Sequence, residues 1–374
     1  MSDVVLFEER AIQNGRYRIG IATLNAEKSL NALTLDMIRL LDARLSIWAQ
    51  DAGIVAVLLR GAGDKAFCAG GDVRALREAL LDDDSYPNPH AVEFFSQEYA
   101  LDYRIHTYAK PLIVWGHGIV MGGGLGLMVG ASHRVVTPAT RIAMPEITIG
   151  LYPDVAGSWF LQRMPAKLGL FLALTGAPIN AHDALVVNLA DHVAPADGYP
   201  RLLQQLEQAS WQEDCRSNHA TVSALLNRLE CDSKVELPAS QAARQLIAIH
   251  QLMNRGSLAA VAEALAAGQF DDPWLASAAK SFRHGCPTSA AVSWEIFRRA
   301  KHLSLAEALR MELTLSVNFC AKPDFREGVR ALLVDKDRQP GWSRKTLGEV
   351  DQAWVDSHFS APWDERNHPL AGLA

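Results

Sequence analysis

Residues 122–154 read GGGLGLMVGASHRVVTPATRIAMPEITIGLYPD, and this stretch decides the architecture. It opens on Gly122-Gly123-Gly124, then reaches Met144-Pro145-Glu146 and Gly150-Leu151-Tyr152-Pro153-Asp154. Glycine permits close backbone approach, and exposed N–H groups hold a developing oxyanion. Glu146 and Asp154, eight residues apart, are candidates for base or nucleophile. Just upstream, Leu112–Trp115 is a short apolar run of the buried-strand kind. A second glycine knot, Phe67-Cys68-Ala69-Gly70-Gly71-Asp72, follows another such run, Ile54–Leu59. Singly, each knot is explained by a tight turn or close packing. Together, each just after a buried strand, they favour a shared oxyanion hole and chemistry on an acyl carbonyl. Gly123, near the start of the small-residue segment 124–131, would add the favourable end of a helix dipole.

Working outward, Val4–Phe7 and Tyr17–Leu24 read as strands about a Gln13-Asn14-Gly15 turn. Thr34 is an N-cap candidate, with Ile38, Leu41, Leu45 and Trp48 at helical spacing behind it. Residues 92–108 read as a helix whose apolar stripe, Phe94, Leu101 and Ile105, also carries Glu98. A carboxylate there is either a rim group or one with a role. Beyond residue 200 strand signals thin out. Gln241–Met253, Leu258–Ala267, Ser289–Lys301 and Leu305–Phe319 read as helices. Ser304 to Glu307 is a capping box, Gly268 is a fitting C′ residue and Thr288 an N-cap candidate. The expected fold class is α/β. Residues 1–200 form the core, with a helical insert at about 77–108, and residues 201–374 a helical C-terminal region packed on it. No internal repeat or low-complexity tract is visible.

Composition narrows the function classes. The 374 residues are 49% apolar and 21% charged, which suits a packed core. A net charge of −6 without a basic run argues against a nucleic-acid partner. The five cysteines, Cys68, Cys215, Cys231, Cys286 and Cys320, are scattered without a Cys-x-x-Cys pair, as expected of reduced thiols. With no basic region leading an apolar core, and no Arg-rich amphipathic start, the expected location is cytoplasmic. Residues 111–132 lack Asp, Glu, Lys and Arg, and Gly118, Gly122, Gly126 and Gly130 repeat every four residues. So many glycines make a poor lone helix. A strand, a turn and a small-residue helix explain the segment better than a membrane span, and no membrane partner is expected.

Competing motifs fall short. Gly61-Ala62-Gly63-Asp64-Lys65-Ala66 fits a dinucleotide fingerprint, but runs into Phe67–Asp72, a poor helix start. P-loop, nucleophile-elbow and His-Glu-x-x-His patterns are absent. No metal-ligand spacing occurs, so no metal is expected. Asp154 is also a possible N-cap for residues 155–162.

These residues resemble the crotonase (enoyl-CoA hydratase/isomerase) superfamily. The likeness is carried by Ser29-Leu30-Asn31-Ala32-Leu33, Lys65–Asp72, His117-Gly118, Gly122-Gly123-Gly124 and Met144-Pro145-Glu146. Its thioester-hydrolase subgroup is resembled through Phe94–Tyr99, Pro153-Asp154-Val155, Cys286-Pro287-Thr288-Ser289, Phe325–Ala331 and Asp335-Lys336-Asp337. The resemblance implies a ββα-spiral core and a CoA thioester substrate, with no cofactor besides the CoA it carries. It places oxyanion-hole donors at Gly71 and Gly123, and CoA-site residues at Leu30, Ala32, Ala69 and Gly70. It implies catalysis by Glu146 with Asp154, and binding of the acyl end by Glu98. Hydratases use two glutamates; the first falls at Gly126, which has no carboxylate, and the second on Glu146. Where hydratases have glycine, this chain has Asp154. Hydrolysis of a short 3-hydroxyacyl-CoA, as in valine breakdown, is therefore expected over hydration. Double-bond isomerisation and silent acyl-CoA binding are the alternatives, and a homo-oligomer is possible.

Overall fold

The computed structural model describes residues 3–374. Its strands are β1 (Val5–Ile12), β2 (Tyr17–Leu24), β3 (Ile54–Gly61), β4 (Ala66–Cys68), β5 (Leu112–Gly116), β6 (Ile119–Met121), β7 (His133–Val136), β8 (Arg141–Ala143), β9 (Ile179–Asn180) and β10 (His192–Val193). The helices are α1 (Leu35–Gln50), α2 (Val73–Asp82), α3 (Pro89–His106), α4 (Gly123–Val129), α5 (Gly157–Phe160), α6 (Leu168–Thr175), α7 (Ala181–Val186), α8 (Tyr199–Gln208), α9 (Cys215–Ser233), α10 (Gln241–Met253), α11 (Leu258–Ala267), α12 (Pro273–His284), α13 (Pro287–Arg299), α14 (Leu305–Ala321), α15 (Pro323–Val329) and α16 (Gln352–Asp356). They fall into two units of interleaved segments. The first takes residues up to Gly71, Leu101–Ile142 and Ile179–Ser240; the second takes Asp72–Ala100, Ala143–Pro178 and Gln241–Ala374. The expected boundary near residue 200 lies inside the first unit, because α8 and α9 close the core of its sheet.

The first unit is α/β. Its large sheet has the order β1-β2-β3-β5-β7-β10, and a small one has β4-β6-β8-β9. The β1–β2 pair is antiparallel, while β2, β3, β5, β7 and β10 run parallel. Seven of the eight residues of β3 are buried, the continuous apolar run that a strand covered on both faces requires. One face packs Ile19, Ile21, Val55, Leu58 and Val135 against Leu202 and Leu206 of α8 and Val222, Leu226 and Leu229 of α9. On α1, Thr34 caps the helix by accepting the Met37 N–H. Trp48 lies flat on β2, where a Cβ at Gly20 would meet its ring at 2.8 Å. Large- and small-sheet strands alternate along the chain: β3 then β4, β5 then β6, β7 then β8. This is the ββα spiral, and each short strand delivers one of the motifs: Ala69-Gly70-Gly71, Gly122-Gly123-Gly124, and Met144-Pro145-Glu146.

The second unit is mainly helical. All eight residues of α6 are buried, and α10, α12 and α13 pack around it, as a helix apolar on every side demands. Ser304 and Glu307 form the expected capping box of α14. Two end signals differ from expectation. Pro287 takes the first position of α13, so Cys286 rather than Thr288 is the N-cap. Gly268 ends α11 with φ −66°, without the left-handed conformation of a glycine C′. Gly61–Ala66 leads into strand β4, not a helix, which removes the dinucleotide reading. Among the described residues no helix is long and apolar enough to cross a membrane.

Candidate active site

In the first unit, β4 and β6 are parallel, so the glycine knots leave the same edge of the small sheet. A Cβ at Gly70 would lie 3.5 Å from the Met121 carbonyl oxygen and 4.0 Å from the Gly122 Cα. At Gly124 it would lie 2.3 Å from the Cys68 carbonyl oxygen, so any side chain there would push α4 off β4. The two knots therefore meet, in keeping with their shared placement after buried strands. Gly122, with φ 46°, turns the chain into α4. Gly123 is the first residue of that helix, and its N–H is one of the donors no intrahelical carbonyl reaches. The Leu33 N–H donates to the Gly70 carbonyl (2.8 Å) within a parallel bridge between Leu33 and Gly71. In such a bridge the Gly71 N–H points away from its pairing partner.

The CoA-site residues named by resemblance gather here too. The Ala69 N–H donates to the Leu30 carbonyl (3.0 Å), and the Ala32 N–H to Ser29 (3.1 Å). Leu30 and Asn31 are left-handed (φ 55° and 56°). Asn31 sustains that turn: its Oδ1 accepts the Ala26 N–H, and its Nδ2 donates to the Ala62 and Ala66 carbonyls, all at 3.0 Å. Cys68 is fully buried with its thiol toward the Gly70 carbonyl, a structural rather than nucleophilic setting.

The candidate carboxylates lie in the second unit. Glu146 opens a single 3-10 turn, Glu146–Ile149, that ends at left-handed Gly150. Its side chain is buried, and Oε2 has no hydrogen-bond partner among the described residues. Burial first, and the neighbouring Asp154 charge second, hold Glu146 well above the usual carboxylate range. Asp154 is also buried; burial pushes it up to about 6, against the opposing effect of the Tyr99 hydrogen bond. The Tyr99 hydroxyl donates to Asp154 Oδ2 at 2.6 Å. Asp154 does not cap a helix: α5 begins at Gly157 with Ala156 as N-cap. Glu98 precedes Tyr99 on α3 and is buried, not at a rim.

Sequence reasoning missed four residues around Asp154. The Tyr99 hydroxyl is 2.7 Å from Ser316 Oγ, which is 2.9 Å from the Tyr152 hydroxyl. Tyr152 donates to the Glu312 main-chain carbonyl (2.7 Å). The Glu312 side chain, fully buried on α14, accepts the Ala156 N–H (2.8 Å), the Ser158 N–H (2.9 Å) and the Ser158 hydroxyl (2.5 Å). Burial pushes Glu312 up to about 8. The available signal was a glutamate amid an apolar helical run, the same signal that singled out Glu98. Two buried carboxylates of high proton affinity, Glu146 and Asp154, form a set suited to acid–base or nucleophilic work at neutral pH. Among the described residues no three His, Cys, Asp or Glu group as a metal site.

Known proteins similar to this chain carry names from CoA-thioester chemistry. The enoyl-CoA hydratase/isomerase family matches residues 19–359. A Danio rerio protein named 3-hydroxyisobutyryl-CoA hydrolase, mitochondrial, is 38% identical over 94% of this chain and 90% of its own. Among solved structures, one described as a carnitinyl-CoA dehydratase from Mycobacterium thermoresistibile has TM-score 0.84 and 36% identity, covering 97% of this chain and 98% of its own. Another, described as an enoyl-CoA hydratase from Rhodobacter sphaeroides, has TM-score 0.80 and 31% identity, covering 95% and 97%.

Proposed function

The chain belongs to the enoyl-CoA hydratase/isomerase family, and from that premise we propose that it hydrolyses a short 3-hydroxyacyl-CoA. The substrate is 3-hydroxyisobutyryl-CoA, cleaved to 3-hydroxyisobutyrate and free CoA, a step of valine breakdown. In this reading the thioester carbonyl accepts the Gly71 and Gly123 N–H groups. A Glu146 oxygen attacks the carbonyl carbon. The oxyanion collapses, the C–S bond breaks, and CoA leaves as thiolate to take up a proton. Water then opens the mixed anhydride and restores Glu146; in the variant route Glu146 takes a proton from that water as it attacks directly. Asp154 orients the 3-hydroxyl or the water and exchanges protons with Glu146. Glu98 binds the acyl end, and Leu30, Ala32, Ala69 and Gly70 hold CoA largely through their backbone. No cofactor beyond the CoA of the substrate enters these steps.

The observation that carries this reading is the buried pair Glu146 and Asp154, each raised in proton affinity, with no hydrogen-bond partner for Glu146 Oε2 among the described residues. The test is thiol release from 3-hydroxyisobutyryl-CoA by the wild type, Glu146→Gln and Asp154→Asn. Release abolished in both variants is the expected result. A second reading, hydration of an enoyl-CoA, is favoured by the descriptions of the two solved structures. Against it stands Gly126, where a hydratase of this family would need its first glutamate. Hydration of crotonyl-CoA without thiol release would decide for the second reading. The five free cysteines suit a reducing compartment, and cytoplasmic residence is part of the proposal; the Danio rerio relative is named as mitochondrial, and cell fractionation separates the two. A homo-oligomer is likewise a proposal, read out by sedimentation.

A further inference from the structure

Asp154 leads into an unfavourable piece of backbone. Val155 and Ala156 are consecutive left-handed residues, with φ 50° and 69°, and neither is glycine. A β-branched residue seldom adopts this conformation unless its surroundings impose it. The imposing group is on α14. Glu312 accepts the N–H of Ala156 on one oxygen, and the N–H and hydroxyl of Ser158 on the other. It thus grips the chain on both sides of Gly157. The same helix reaches the Asp154 side chain through Ser316, whose hydroxyl is 2.7 Å from that of Tyr99. No arginine, lysine or histidine forms an ion pair with Glu312 among the described residues, so it is a poor choice for stability alone.

We propose that Glu312 is a positioning residue of the hydrolase: its carboxylate clamps the left-handed Val155–Ala156 turn and thereby aims Asp154. The proposal rests on the reading of Asp154 as a catalytic group. An aspartate whose adjoining turn relaxes points its carboxyl elsewhere, even though substrate still binds. The three-donor arrangement needs two acceptor oxygens. The amide of Glu312→Gln has only one, so it releases either Ala156 or Ser158 while matching the carboxylate in size.

The experiment measures kcat and KM for Glu312→Gln, Ala156→Gly, the two combined, and Asp154→Asn. Glu312→Gln is expected to lower kcat ten- to a hundredfold and leave KM within about threefold. Ala156→Gly alone stays within about twofold of wild type. Added to Glu312→Gln it restores kcat about tenfold, because a left-handed φ suits glycine without a clamp. A purely structural Glu312 lowers thermal stability, leaves kcat per folded molecule unchanged, and shows no such rescue; that result overturns the proposal. If Glu312→Gln does not fold, Ser158→Ala takes its place, with a three- to tenfold fall in kcat expected and an unchanged kcat overturning the idea. Asp154→Asn keeps the two readings apart. If it abolishes hydrolysis while Glu312→Gln does not impair it, only the positioning role fails. If Asp154→Asn is fully active, the catalytic reading of Asp154 fails and the role of Glu312 with it.

Discussion

The first unit pairs partly exposed carboxylates with arginine, and the second buries three carboxylates that have no ion pair among the described residues. In the first, Asp191 receives the Arg134 guanidinium at 2.6 and 2.9 Å, and the Arg134 main-chain N–H as well. Burial would raise it, but the Arg134 bonds and charge prevail and hold it below the usual range. Asp51 and Asp42 are likewise met by Arg18 and Arg104. In the second unit, Glu146, Asp154 and Glu312 are all raised, and none is ion-paired among the described residues. A carboxylate paired with arginine holds structure together. A carboxylate buried without a cation costs stability and gains proton affinity near neutrality, which is the property a catalyst uses.

Four experiments would break or sharpen that contrast. The largest effect is expected from Glu146→Gln, a loss of kcat of about a thousandfold, against no loss per folded molecule for Asp191→Asn. Asp191→Asn should instead lower unfolding stability by about 1–2 kcal/mol in chemical denaturation, since Arg134 loses its ion pair but keeps its two hydrogen bonds to Asn188. Next comes Gly123→Pro. Proline is tolerated at the first position of a helix, so the substitution deletes one N–H where the fold best accepts it. A fall in kcat of about a hundred- to a thousandfold in a well-folded variant is expected, and retained hydrolysis would remove Gly123 from the oxyanion hole.

The third concerns pH. On the proposed mechanism Asp154 acts ionised, so kcat/KM should decline as pH falls through about 6, not near the ordinary carboxylate value. Stability runs the other way. Asp154 is raised in the folded state from 3.8 to about 6. Its contribution is full below its unfolded value and is lost as pH rises through about 6. Asp154→Asn should therefore raise stability at pH 8, by at most about 3 kcal/mol, while it removes activity. Asp191 has the opposite sign: its contribution is present at neutral pH and lost on acidification. Parallel stability profiles for Asp154→Asn and Asp191→Asn would contradict the contrast. The smallest effect is Thr34→Ala, about 1 kcal/mol of stability with kcat unchanged, measured by the same denaturation.

Much of this was legible in the chain, for physical reasons that also mark the limits. Tyr17–Leu24, Gln241–Met253 and Leu258–Ala267 were readable to the residue, since each has regular periodicity and distinct ends. The capping box at Ser304 was readable because it is local chemistry. Helix α6 was not, since a segment apolar on all sides has no period. The two-residue strands β9 and β10 are too short to show alternation. Helix α9 carries so many polar residues that only its packing on the sheet declares it. In the candidate site, the glycine knots and the two carboxylates were visible because backbone chemistry and rare motifs leave marks. Tyr99 stood inside a motif without an evident role, and Glu312 carried only the weak signal of a glutamate in an apolar helical run. Their meaning arises only from contacts with residues 55 and more than 150 positions away.

Helix α14 has one more consequence, for how the length of this chain can vary. Glu312, Ser316 and Cys320 stand four apart, and all three bear on the Asp154 turn: two by hydrogen bonds, and Cys320 as a buried thiol pushed up by burial and by Asp154. Each residue added to a helix rotates its downstream turns by about 100°. A single insertion or deletion between 312 and 320 would swing part of this row away from the turn. The loop before Ser304 can absorb a change in length, because the capping box restarts the helix in phase. Tolerated insertions and deletions should therefore cluster outside residues 312–320, and a library of single-residue insertions across α14, scored for thiol release, would draw that boundary.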